Sequence, residues 1–118
     1  MQEKHLFAQV SYKEFLSIME APLNKRKYYI THGHLTDKYV YLYRGDRHTL
    51  KVKLEYFSDE GRYNPDFNKF DIIDCGQSIT FGDDYEIGVD SILYEFDSVC
   101  KKEMDKNAVS GSWKDIKK

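Results

Sequence analysis

His32-Gly33-His34 sets two imidazoles two residues apart, on one face of any extended segment and about 7 Å from each other. Two such nitrogens can share a zinc or another divalent ion when a third ligand approaches, and Asp46 and His48 are the candidate donors. The pair alone is half a site, and histidines on the surface of a sheet fit the same spacing. An acid–base pair could be assembled from His32 or His48 with Tyr41, Tyr43 or a nearby carboxylate, but no spacing demands one. Ser78 and Ser91 lack the context of a nucleophile elbow. Cys75 precedes a turn glycine and fits an ordinary turn thiol better than a reactive one. No catalytic residue, metal or cofactor is therefore assigned.

Charge offers two further candidates. Asp83, Asp84 and Glu86 lie in the strongest acidic bias of the chain, together with Asp71, Asp74 and Asp90. No DxDxDG calcium loop is present, so these three carboxylates are read as contacts for a basic protein partner. Lys25-Arg26-Lys27 followed by Tyr28 and Tyr29 interleaves cations with rings, the pattern of surfaces that hold single-stranded nucleic acid. Over the whole chain Lys+Arg (18) and Asp+Glu (20) nearly cancel to a net charge of −2, which supplies no long-range attraction to phosphate backbones. A nucleic-acid role is accordingly the alternative and a protein partner the main reading. Arg44-Gly45-Asp46 spells a cell-adhesion tripeptide, but a hairpin turn explains its Gly-Asp. Trp113, alone in a polar tail, suits either a partner anchor or docking on its own domain.

The elements that must position these residues are partly legible. Tyr39–Tyr56 reads as two alternating strands joined at Arg44–Arg47. With Gly45-Asp46 as a two-residue type II′ turn, Tyr43 faces His48, Tyr41 faces Leu50 and Tyr39 faces Val52. That register puts the tyrosines with Leu50, Val52, Leu54 and Tyr56 on one face, and Lys51, Lys53 and Glu55 on the other. Strands over Lys27–Leu35, Lys38–Arg44 and His48–Phe57 would form a meander, with a short strand over His5–Val10 before them. Ser11 and Glu14 have capping-box spacing ahead of Phe15, Leu16 and Met19, which predicts a helix over Tyr12–Glu20. Ser58–Lys69 has loop composition, and a second strand pair, Phe70–Cys75 and Ser78–Phe81, turns at Cys75-Gly76-Gln77. Val89, Ile92, Leu93, Phe96, Val99 and Cys100 form an apolar stripe, which predicts one helix over Val89–Met104 lying on a sheet face. Such a lid would make Tyr39, Tyr41 and Tyr43 core, and would leave the binding surface on the lysine face or at the acidic connection.

The fold class expected is α+β: a mainly antiparallel sheet of about five strands with one long C-terminal helix and a short N-terminal one. The 118 residues suit one domain over 1–106 with a flexible tail over 107–118. Two distant cysteines, no apolar signal run and no stretch near ~18 apolar residues together point to the cytoplasm and away from a membrane. An open strand edge would admit a homodimer.

Phe70, Ile73, Gly76, Ile79, Phe81, Asp83, Ile87, Val89, Asp90, Leu93 and Tyr94 give the Phe67–Tyr94 segment a pattern that resembles one family. It is a family of small bacterial α+β domains of unknown function, often encoded beside toxin-like proteins. The chain departs from it at Phe81-Gly82, where the family has Trp-Pro, and in its helix-bearing N-terminal segment. The resemblance implies an antitoxin-like, protein-binding role and carries over no catalytic residue. The function expected is thus a non-catalytic module that binds or inhibits a protein. A small His-dependent hydrolase or nuclease, and a single-strand contact protein, are the alternatives.

Overall fold

The computed structural model describes residues 5–59 and 64–109. Among them a four-stranded antiparallel sheet runs in the order β1 (Leu6–Gln9), β2 (Ile30–Leu35), β3 (Tyr39–Arg44), β4 (Thr49–Lys53). A second, three-stranded sheet is built from β5 (Asp71–Ile73), β6 (Ser78–Thr80) and β7 (Glu86–Gly88). The α+β class holds, but two sheets replace the single sheet of about five strands.

α1 (Tyr12–Glu20) starts where the capping box places it: Ser11 Oγ accepts from Glu14 N at 3.1 Å, and Glu14 Oε1 accepts from Ser11 N at 2.9 Å. Its buried residue is Ile18, whereas Phe15 and Leu16 are exposed. Pro22 then opens a single turn, α2 (Leu23–Arg26), so the next strand begins at Ile30 rather than Lys27. Ile30 and Thr31 are both buried because the β2–β3 register shifts by one residue there.

The β3–β4 hairpin corrects the expected register. Arg44 N donates to His48 O, and the positive φ falls on Arg47 (73°), not on Gly45 as a type II′ turn would require. The loop therefore holds three residues, Gly45-Asp46-Arg47, and the pairs become Tyr39↔Lys53, Val40↔Val52, Tyr41↔Lys51, Leu42↔Leu50 and Tyr43↔Thr49. One extra loop residue exchanges the faces of a whole strand. Val40, Leu42 and Val52 are fully or almost fully buried, and the tyrosines stand with Lys51 and Lys53 on the other side.

The stretch expected to finish β4 coils instead into α3 (Leu54–Asp59), which buries Leu54 and Phe57. The long terminal helix is broken into α4 (Val89–Phe96) and α5 (Ser98–Val109). Asp97 causes the break: its Oδ1 accepts from Val99 N (2.9 Å) and Cys100 N (3.0 Å), the N-cap of a new helix. Val89, Ile92, Leu93 and Cys100 remain buried, but Phe96 and Val99 turn outward at the corner. α5 carries the first three residues of the expected tail, and Trp113 lies outside the described residues.

One continuous core fills the space between the inner face of the large sheet and the small sheet with α3 and α4. Phe57, Phe67 and Phe70 surround Phe81 at centroid distances of 4.8, 5.1 and 5.7 Å. Phe70 packs directly on the backbone of Gly33, where an added Cβ would meet its Cζ at 2.7 Å. Among the described residues no helix is long and apolar enough to cross a membrane.

Candidate functional site: an aromatic and basic sheet face

The corrected register places side chains of β1–β4 in rows across the outer face of the large sheet. One row reads Phe7–His34–Tyr41–Lys51, the next Gln9–His32–Tyr43–Thr49, and a third ends in Tyr39–Lys53. These rows contain no carboxylate, although the chain has more acidic than basic residues.

Neighbouring rings in the rows stack. His32 lies on Tyr43 at 4.3 Å with planes 10° apart, and Phe7 lies on His34 at 4.4 Å with planes 13° apart. His34 Nε2 is also 2.8 Å from His5 Nδ1, so one ring donates and the other accepts. Lys51 Nζ stands 4.2 Å from the Tyr39 centroid and 5.9 Å from that of Tyr41, a cation–π arrangement that holds the ammonium over the rings. Burial against its neighbours lowers the pKa of His32 although the residue keeps an exposed edge, so near pH 7 its neutral ring predominates. His34, Thr36, Lys38, Tyr39, Tyr41 and Tyr43 line a cleft of about 510 Å³ on this face, and the turn residue Asp37 is the carboxylate in its lining.

His32 and His34 do share a face, as their spacing requires, and it is the outer one. Their ring nitrogens reach Thr31 and His5 rather than a carboxylate. Asp46, a candidate third ligand, is taken by Arg44, and the described residues hold no group of three His, Cys, Asp or Glu side chains suited to a metal ion. Arg44-Gly45-Asp46 is thereby a folding unit. Arg44, 7% exposed, donates from Nε to Asp46 Oδ1 (2.9 Å) and from Nη1 to Asp97 Oδ2 (2.6 Å).

The basic run is largely spent inside the protein. Arg26 caps α1 by donating to Ala21 O (2.8 Å) and Met19 O (2.6 Å). Lys27 pairs with Glu103 at 2.5 Å, and the Tyr28 hydroxyl donates to the same carboxylate at 2.7 Å. Burial and that hydrogen bond raise the Tyr28 pKa. Tyr29 is half-buried, and Lys25 alone of the five is exposed. Beside them lies a cleft of about 680 Å³ that includes Asp74, Asp90 and Glu103 in its walls. It is larger than the cleft on the sheet, but Glu103 in its wall is already engaged by Lys27 and Tyr28.

Asp83 and Asp84 form the tip of the β6–β7 turn, closed by Phe81 N donating to Tyr85 O, and both are exposed, as is Glu86. Tyr85 between them points into the core. Cys75 is exposed in a left-handed turn (φ 53°), and its hydrogen bond with Glu14 pushes the thiol pKa up, away from thiolate chemistry. Sequence reasoning found the lysines of the sheet face but assigned the tyrosines to the core and missed Phe7. The signal was present in Val40 and Leu42, which alternate with the tyrosines and match Leu50 and Val52 in parity. No family model, curated protein or solved structure matches this chain.

Proposed function

We propose that the protein is a non-catalytic binding module whose working surface is the outer face of the four-stranded sheet. The observation that carries this reading is the set of cross-strand rows of stacked rings and lysines, which hold no carboxylate and leave Asp37 of the adjoining turn as the acidic group in the cleft lining, in a chain of net charge −2. Folding alone gives no reason to concentrate Phe7, His32, His34, Tyr39, Tyr41 and Tyr43 on the solvent side of a sheet whose inner side is already filled by aliphatics. The histidines serve as stacking and hydrogen-bonding groups rather than as an acid–base pair, since Thr31 and His5 are their partners.

A second reading keeps Asp83, Asp84 and Glu86 as the contact for a basic protein partner, in line with the antitoxin-like role that the resemblance implies. It is favoured by the exposure of all three carboxylates at one turn and strand edge. Site-directed photo-crosslinking separates the two. Benzoylphenylalanine at Phe7 is expected to give a covalent adduct in native extract, and at Asp84 none. Adducts from Asp84 alone would sink the sheet-face reading in favour of the second. Self-association through a strand edge would use β1 or β4, the two strands that end the sheet.

A further inference from the structure

We infer that the outer sheet face takes a single-stranded nucleic acid, with bases stacked among Phe7, His32, His34, Tyr41 and Tyr43 and phosphates held by Lys51 and Lys53. This rests on the reading of that face as the working surface and names its partner. Each unit of a single strand carries one flat π-face and one negative charge, and the face offers the complements of these two together. An acidic peptide has the charge but no use for so many rings. A neutral glycan has use for the rings but none for the lysines.

The geometry favours stacking over mere charge. His32 on Tyr43 and Phe7 on His34 are near-parallel pairs with centroids 4.3 and 4.4 Å apart, so the rings already stand in stacks that a base can extend. Phe7 ends one row at the β1 edge and is 72% exposed, which leaves most of its ring open to a further partner. The cleft of about 510 Å³ along Tyr39, Tyr41 and Tyr43 falls within the range of small-ligand sites, and its tyrosine hydroxyls suit base edges. Lys51 over Tyr39 holds a cation beside the rings, where the phosphate next to a stacked base would lie. A duplex keeps its bases paired and stacked on each other, so it can use only the lysines.

The test is fluorescence anisotropy with labelled 12-nucleotide oligouridylate and oligothymidylate, a duplex of equal length, and a 12-residue polyglutamate. It is paired with amide chemical-shift mapping. Single strands are expected to bind most tightly, with affinity falling as salt rises. Phe7→Ala should weaken single-strand binding by about five- to a hundred-fold, and Lys51→Ala should flatten the salt slope by about 0.7. Both residues are exposed, so both variants should stay folded, with melting temperatures close to wild type. Unaltered affinity in Phe7→Ala, or no binding of either single strand, overturns the inference. Polyglutamate shifting this face while single strands do not would overturn the nucleic-acid assignment and leave the binding-module reading standing. Single-strand shifts that map away from β1–β4 would overturn both.

Discussion

Arg44 ends β3 almost fully buried, and its guanidinium links the hairpin loop to the corner between α4 and α5 through Asp46 and Asp97. A buried guanidinium is tolerable only when its donors are satisfied, which these two carboxylates accomplish. Gly45 beside it has no room for a side chain: a Cβ there would meet Ile18 Cγ2 at 2.8 Å and Arg26 O at 2.9 Å. Its N–H donates to Tyr29 O, so the loop cannot simply back away. Gly45→Ala should cost about 1–3 kcal/mol, the usual penalty of overpacking, read as a lower urea midpoint at unchanged m-value. Stability equal to wild type would mean that the loop and α2 move apart freely.

At the scale of elements, Asp97 acts on two helices at once. Its N–H still bonds to Leu93 O as α4 ends, while its carboxylate caps α5 and receives Arg44. Asp97→Ala removes both the cap and one partner of a buried cation, and should cost about 2–4 kcal/mol. Asp97→Asn keeps a capping oxygen and loses only the charge, so its cost should be clearly smaller. Denaturant melts of the two variants check this, and equal losses would assign the whole effect to the charge. The hairpin makes the parallel point for strands. Tyr39-Val40-Tyr41-Leu42-Tyr43 is apolar at every position, so alternation alone admits either face as the core. The three-residue loop chose the aliphatics, and the tyrosines, each with a hydroxyl to keep wet, took the outer face.

For the whole molecule, the Arg44 cluster sets an acid limit. Burial by itself would raise the carboxyls of Asp46 and Asp97, but the Arg44 hydrogen bonds, with backbone N–H groups, outweigh it and hold both below the usual range. Groups depressed on folding contribute stability that is complete above the unfolded carboxyl pKa of about 3.9 and is lost as pH falls through their folded values. The melting temperature should therefore hold from neutrality to about pH 5 and drop below about pH 4, and Asp97→Asn should shrink that drop. An identical acid profile in the variant would place the sensitivity elsewhere. The sequence by itself determined the local features: the capping box at Ser11, the strand periodicity of β3 and β4, the apolar run that opens α4 and the outward lysines. Each of these depends on residues within a turn or two of one another. Tertiary structure decided which hairpin face packs inward, the separation of the second sheet and the fate of the basic run. Those outcomes turn on partners far along the chain, as Arg44 finds Asp97, Lys27 finds Glu103 and Phe70 finds Gly33. The aromatic and basic surface exists because a single loop residue turned one strand over, a choice that periodicity leaves open and packing settles.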